Sequence, residues 1–171
     1  YGGGLSKSTK EGREVVPLHS LAFCDQTDML SGPIGIKHFF SPSQLKEMEK
    51  KGWGSEANGA TASIDEVIVI CRDDESKRED QNNTDSTTPG TYIPVFEVHG
   101  DMPKRFLNEN DTTEDFVYQI QIVVPRTKED GKKEYITLFK AEEKTNPFKL
   151  IKRDPVYGRA LGFGGAEELF E

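Results

Sequence analysis

Residues 116–124 read Phe-Val-Tyr-Gln-Ile-Gln-Ile-Val-Val, and the class of fold depends on this stretch. The even-numbered positions from 116 to 124 are all aromatic or aliphatic, while Gln119 and Gln121 stand between them. A period of two residues is the spacing at which side chains share one face of a β-strand. We therefore predict a strand here, with its even-numbered side chains on the apolar face.

A hairpin and a returning strand are expected next. Residues 127–133 read Thr-Lys-Glu-Asp-Gly-Lys-Lys, and Gly131 can adopt the positive φ that a tight hairpin loop requires. Residues 134–141 then return, with Tyr135, Thr137 and Phe139 on one face. These two strands predict an antiparallel pair.

A third strand precedes this pair. Residues 92–100 read Tyr-Ile-Pro-Val-Phe-Glu-Val-His-Gly, and Pro94 lacks a backbone donor, which places the strand at a sheet edge or at a bulge. Residues 101–113 are expected to form a loop with a short turn at 103–107. Three antiparallel strands with one apolar face need a covering layer to be stable.

The clearest helix signal lies around residues 41–52. Ser41 is a favourable N-cap, Pro42 suits the first helical position, and Gln44 completes a capping box. Gly52 can end the helix in the left-handed conformation, after which Trp53 is expected to fold back onto it. This helix is the candidate cover for the sheet.

A second capping box begins at Ser63 and is completed by Glu66. The run Val-Ile-Val-Ile-Cys at 67–71 is ambiguous, because the cap favours a helix whereas the β-branched residues favour a strand. We favour the helix. Residues 72–90 contain no apolar side chain, so we predict a long mobile polar loop that cannot bury enough surface to become ordered.

The whole pattern predicts an α+β fold: an antiparallel sheet meander covered by one or two helices, with a long polar loop. Near the amino-terminal end we expect a strand at 13–16, an extended turn into 20–23 and a loop over 25–36. We divide the chain into four segments. They are a mixed strand and helix region at 1–71, the polar loop at 72–90, the β meander at 91–145, and a basic linker with a glycine-rich turn into a truncated helix at 146–171.

Composition restricts the possible functions. A chain of 171 residues is one domain or two small ones, and a content of 34% hydrophobic residues allows only a thin core. A net charge of −8 makes nonspecific binding of nucleic acid unfavourable. No run approaches the roughly 20 apolar residues of a membrane span, which excludes an integral helical membrane protein. Cys24 and Cys71 form no CxxC pair, so a reducing compartment is expected.

The carboxyl-terminal segment combines glycines with basic residues. Residues 158–165 contain four glycines but lack the spacing of a dinucleotide fingerprint and the Lys-Ser/Thr of a phosphate-binding loop. The chain starts at Tyr1, and Glu171 stands inside what reads as an opening helix, so we expect a segment of a longer protein. A local basic patch is the candidate contact surface for nucleic acid or an acidic partner, and it consists of Lys149, Lys152, Arg153 and Arg159.

No catalytic, cofactor or metal motif is present. His19, His38 and His99 are far apart in sequence, and an enzyme or metal site would require them to converge with Asp25 or Asp28 in three dimensions. His99 stands between Glu97 and Asp101, which could tune its pKa. On residue chemistry alone, the prediction is a non-enzymatic structural or interaction segment without a cofactor.

Three stretches together resemble the portal, or head–tail connector, proteins of tailed phages, and the similarity touches most of the chain outside residues 72–90. The first comprises Val15-Val16-Pro17, Phe23-Cys24-Asp25-Gln26-Thr27-Asp28 and His38-Phe39-Phe40-Ser41-Pro42-Ser43-Gln44-Leu45. The second is Tyr92-Ile93-Pro94-Val95-Phe96-Glu97-Val98-His99-Gly100-Asp101-Met102-Pro103. The third comprises Arg153-Asp154-Pro155-Val156-Tyr157-Gly158-Arg159-Ala160-Leu161-Gly162 and Glu167-Glu168-Leu169-Phe170.

The resemblance implies a mechanical role. The chain would be the wing-like region before the stem helices of a portal subunit, which does no covalent chemistry. Such subunits form a homo-oligomeric ring, typically a dodecamer, at a capsid vertex of the virion, after assembly in the host cytoplasm. DNA passes through the ring without specific binding, and the ring contacts terminase, capsid and neck proteins; no membrane is involved. The alternatives are another mobile-element structural protein, or a protein-interaction module that uses the strand edge at 92–98.

Overall fold

The computed structural model describes residues 3–23, 30, 32–81, 92–128 and 131–152 of the chain. The strands within these ranges are β1 (Gly3–Thr9), β2 (Gly12–Val16), β3 (Leu21–Phe23), β4 (Ile34–Phe40), β5 (Ile93–Pro103), β6 (Phe116–Thr127), β7 (Lys133–Glu142) and β8 (Phe148–Lys152). The helices within them are α1 (Pro42–Glu49) and α2 (Ile64–Gln81).

The strands form two antiparallel sheets, which confirms the predicted α+β class. One sheet has the order β2-β1-β8, and the other has the order β3-β4-β5-β6-β7. The chain divides into two compact units. The first unit comprises the described residues of 1–36, 98–119 and 142–171, and the second comprises those of 37–97 and 120–141. Strands β4, β5 and β6 therefore contribute residues to both units, as does β7 through Glu142.

The second unit is a sheet covered by two helices, as the sequence predicts. Leu45 of α1 and Ile64, Val67 and Ile68 of α2 are buried in one apolar cluster with side chains of the sheet. The spacing of Ile64, Val67 and Ile68 is that of one helical face, which is why α2 can cover the sheet. The sheet residues of this cluster are Ile93, Val95, Ile122, Val124, Ile136 and Leu138.

The first unit has a separate core that joins the two sheets. Its buried side chains come from β1, β2, β4 and β8, and they are Leu5, Val16, Ile34, Ile36 and Phe148. The structure corrects the sequence analysis at three places in this unit. Residues 3–9 form an unpredicted strand, the predicted loop at 25–36 is a strand from Ile34 onward, and residues 148–152 are a strand rather than part of a linker.

Both predicted helix starts are confirmed. The Ser41 and Gln44 side chains bond to each other's backbone N–H groups, and Ser63 and Glu66 do the same at α2. After α1, Gly52 adopts a φ of +90°, and Trp53 donates its N–H to the carbonyl of Met48. No helix within the described ranges is long and apolar enough to cross a membrane.

The polar run at 72–90 is helical as far as Gln81, so the prediction of a loop is wrong for residues 72–81. A helix already nucleated by the Ser63 cap gains one hydrogen bond for each further residue, and Arg, Lys and Glu are good helix formers. Apolar side chains are not required for this propagation. Residues 82–90 lie outside the described ranges.

The prediction of an edge position for the strand with Pro94 is also wrong. β5 lies between β4 and β6, it extends to Pro103, and Pro94 is its second residue. The in–out alternation instead shifts by one residue at Gly100, as in a β-bulge. Gly100 has a φ of +153°, and a Cβ there would lie 2.7 Å from Cα of Pro33. Beyond β5, the predicted turn at 103–107 is confirmed as a 3-10 turn at Lys104–Phe106.

The strand positions of β6 and β7 are confirmed, but the buried faces are partly reversed. Phe116 is 64% exposed, whereas Gln119 is fully buried and donates from its amide nitrogen to the carbonyls of Met102 and Pro103 at 2.9 and 3.2 Å. On β7, Ile136 and Leu138 face the core, and Tyr135 is exposed. A period of two residues identifies a strand, but it does not predict which of the two faces of the strand is buried against another element.

Candidate functional site

The structure describes two of the four residues that the sequence singles out as contact candidates. Lys149 and Lys152 both belong to β8, whereas Arg153 and Arg159 lie outside the described ranges. Of the predicted patch, the structure therefore places only the side chain of Lys149, which is exposed.

Lys149 shares its face with Arg13, a residue that the sequence analysis missed. β1 pairs with β2 and β8, so that Ser6 stands opposite Lys149 on one side and opposite Val15 on the other. Arg13 stands opposite Ser8, and its guanidinium donates to Oγ of Ser6 at 3.5 Å. The Ser6 hydroxyl donates to the carbonyl of Lys149 at 3.3 Å. This pairing joins two cations from opposite ends of the chain.

Two histidine–carboxylate pairs form a second set of candidates. In the second unit, Nε2 of His38 lies 2.8 Å from a carboxylate oxygen of Glu97. β4 and β5 are neighbours in the sheet, and this adjacency positions the two side chains. Glu97 is buried, while His38 is partly exposed and packs at a tilt on Phe40. The pair ties two adjacent strands together across the helix-covered face.

In the first unit, His99 is 1% exposed and its Nδ1 lies 2.7 Å from a carboxylate oxygen of Glu143. Of the two acidic residues that flank His99 in the sequence, Glu97 bonds His38, and the carboxylate bonded to His99 comes from Glu143. The ring of Phe148 contacts His99 edge-on, with centroids 4.9 Å apart. Each of these contacts is typical of a histidine built into a core.

Tyr118 lies close to the same carboxylate. The backbone N–H of Glu143 donates to the carbonyl of Tyr118 at 2.8 Å. Burial, followed by the charges of Glu143 and Asp101, raises the pKa of Tyr118 far above its usual range. The phenol therefore stays neutral at physiological pH and cannot act as a general base there.

These pairs carry no recognisable catalytic set. A histidine–carboxylate pair becomes catalytic when it activates a nucleophile or a bound water, and such sites combine three or more groups. Among the described residues, no group of three or more His, Cys, Asp or Glu side chains could hold a metal ion. His19 is exposed on a 3-10 turn, and Asp25 and Asp28 lie outside the described ranges.

A shallow depression on α2 is a further candidate, but its polar groups are already engaged. Its lining includes Asp65, Glu66 and the exposed Val69. Asp65 forms an ion pair with Lys46 and raises its pKa, and Glu66 accepts hydrogen bonds from the N–H and hydroxyl of Ser63, which lower its pKa. The Asp65 carboxylate therefore belongs to an ion pair between the two helices, and the Glu66 carboxylate belongs to the N-terminal cap of α2.

The chain matches no protein-family model, and no similar sequence was found among curated proteins.

Proposed function

We propose that this chain is a segment of the portal subunit of a tailed phage, a structural part of the ring through which DNA is packaged and ejected. One observation carries the proposal: two stretches that resemble portal proteins meet in the fold. His38, in the stretch 38–45, is bonded to Glu97, in the stretch 92–103. Stretches that are similar for a structural reason are expected to pack together, and the first of these begins at the end of β4, which is adjacent to β5 in the sheet.

The chemistry of the described residues is compatible with a mechanical part. The two histidines of the carboxylate pairs are held within the sheets, and the net charge of −8 disfavours a tight grip on DNA phosphates. A channel component has to let DNA slide, so weak phosphate contact suits this role. By resemblance, the ring is a homo-oligomer, typically a dodecamer, at a capsid vertex of the virion, where it contacts terminase, capsid and neck proteins.

The test is electron microscopy of the full-length protein that contains this sequence, together with mass photometry over a range of salt concentrations. We expect closed rings with a central channel and a mass that is an integral multiple of the subunit mass. A dispersed monomer at every salt concentration would overturn the proposal. The 171-residue chain, measured in parallel, is the control for association through this segment alone.

A second candidate is a non-enzymatic protein-interaction module, or another structural protein of a mobile element. The exposed face that carries Arg13 and Lys149 favours it. The strand edge at 92–98, which the sequence analysis assigns to this role, is not available, because β5 has neighbours on both sides. A monomer that binds a protein partner would support this candidate over the portal.

A further inference from the structure

The outer face of the three-stranded sheet is a groove that runs along its central strand. β1 presents only small residues on this face, namely Gly4, Ser6 and Ser8. The flanking strands present larger side chains at the paired positions. These are Arg13 and Val15 on β2, and Lys149 and Ile151 on β8.

The floor of this groove is open at Gly4, whereas Ser6 is 5% exposed and accepts a hydrogen bond from the Arg13 guanidinium. A Cβ added to Gly4 would meet none of the described atoms within 4 Å. Adjacent strands lie about 4.8 Å apart, so the backbones of the two flanking strands are about 10 Å from each other. The opposite face of the same sheet is closed, because Leu5, Val16 and Phe148 are buried there.

The walls change in character along the groove. At the Gly4 end, Ile151 stands opposite Gly4, and Val15 stands at the level of Ser6. Val15 is 71% and Ile151 is 58% exposed, which is high for β-branched aliphatic residues. At the other end stand the two cations, Lys149 opposite Ser6 and Arg13 opposite Ser8.

None of the described residues on this face of the sheet is acidic, although the chain as a whole has a net charge of −8. The two cations are therefore not neutralised within their own face of the sheet. A nucleic-acid backbone would meet two cations and two exposed aliphatic side chains. The aliphatic side chains make no favourable contact with a row of phosphates, so the match is poor. A polypeptide with both apolar and carboxylate side chains matches both ends of the groove.

We propose that this groove binds a polypeptide segment in which an apolar residue is followed, two positions later, by a carboxylate. The apolar residues pack against Val15 and Ile151, and the carboxylates pair with Lys149 and Arg13. Successive rows of the groove are about 7 Å apart, the rise of two strand residues, which sets this spacing. The inference concerns the first unit alone and does not depend on the portal proposal.

The test is an NMR titration of the isotopically labelled 171-residue chain with two synthetic probes. The first probe is acetyl-Leu-Val-Gly-Glu-Glu-amide, and the second replaces both glutamates with lysine. We expect saturable shifts of the amide signals of residues 4–8, 13–15 and 149–151 with the glutamate probe only. Equal shifts with the lysine probe, or no shifts at millimolar peptide, would overturn the inference.

Two variants test separately whether the floor and the walls of the groove contribute to peptide binding. Gly4→Val places a side chain in open space on a strand, so the melting temperature should be unchanged while binding of the glutamate probe is lost. The double variant Arg13→Glu/Lys149→Glu should weaken binding by about tenfold, since two exposed ion pairs are replaced by repulsion. Lys133→Glu, on an exposed β7 position, is the matched control and should bind normally.

A competition experiment tests whether the groove binds nucleic acid rather than a polypeptide. An oligothymidine that displaced the glutamate probe, with an affinity that fell steeply with salt, would assign the groove to nucleic acid and overturn the inference. Undiminished binding by both Gly4→Val and the double variant would place the probe elsewhere and have the same consequence. Retained binding by Lys133→Glu together with loss in the other two variants supports the groove.

Discussion

Gly54 shows at the residue scale how one backbone position fixes the approach of two elements. It has a φ of +75°, and it donates its N–H to the carbonyl of Leu138 at 2.8 Å. A Cβ here would lie 2.8 Å from the backbone nitrogen of Ile64, at the start of α2. The loop after α1 therefore approaches both β7 and α2 at a place where only hydrogen fits.

We predict that Gly54→Ala is clearly more destabilising than Gly131→Ala. Both glycines have a positive φ, which costs an alanine about 1–2 kcal/mol, but a Cβ at Gly131 meets none of the described atoms within 4 Å. Gly54→Ala adds the overlap with the Ile64 backbone to that cost. Urea unfolding of the two variants measures the difference, and equal losses would contradict the steric argument.

At the element scale, both helices begin with a capping box, but the residues that complete the two boxes differ in charge. Gln44 closes the first capping box with a neutral amide, whereas Glu66 closes the second with a carboxylate. The hydrogen bonds from Ser63 lower the pKa of Glu66 below its usual range. A carboxylate with a lowered folded-state pKa stabilises the fold above its unfolded pKa, and this stabilisation is lost as the pH falls through the folded value.

We therefore predict that the stability difference between the parent chain and Glu66→Gln depends on pH. Above the unfolded value of about 4.3, the parent keeps the charged cap and is the more stable of the two. As the pH falls below that value, the advantage disappears, while the neutral glutamine cap is unaffected. Thermal unfolding at a series of pH values tests this, with Gln44→Glu as the reciprocal variant. A difference that is constant from neutral to acid pH would contradict the prediction.

The elements themselves were only partly predictable. Capping boxes and the period of β6 are local signals, and Ser41, Ser63 and residues 116–124 carry them in the sequence. β1 has a single large apolar residue, Leu5, and owes its conformation to pairing with β2 and β8. Residues 72–81 lack apolar side chains, yet they continue a helix that began upstream. Where a neighbouring strand or a preceding helical turn supplies the stabilisation, the composition of a segment does not predict its secondary structure.

At the scale of the whole molecule, the described residues form two cores, and strands β4, β5, β6 and β7 contribute residues to both units. Leu5 is fully buried in the first core and Leu45 in the second. β4, β5 and β6 are continuous backbone segments, so melting one unit removes the ordered ends of strands that the other unit uses.

We predict that Leu5→Ala and Leu45→Ala each lower the free energy of unfolding by about 2–5 kcal/mol, the usual cost of a large cavity. Both variants should shift a single cooperative transition, measured by circular dichroism and by the fluorescence of Trp53. Trp53 packs against the second core, so its signal reports on that unit. Two separated transitions in the Leu5→Ala variant would show that the units unfold independently.

The sequence by itself determined the α+β class, both helix starts, the hairpin at Gly131 and the two long strands β6 and β7, because these depend on neighbours within a few residues. It also singled out Lys149. Only the tertiary structure decided that Lys149 shares a face with Arg13, that β5 is central, and that Gln119 is buried while Phe116 is exposed. These features depend on which strands pair and which face is covered. Such contacts join residues far apart in the chain, and no local pattern encodes them.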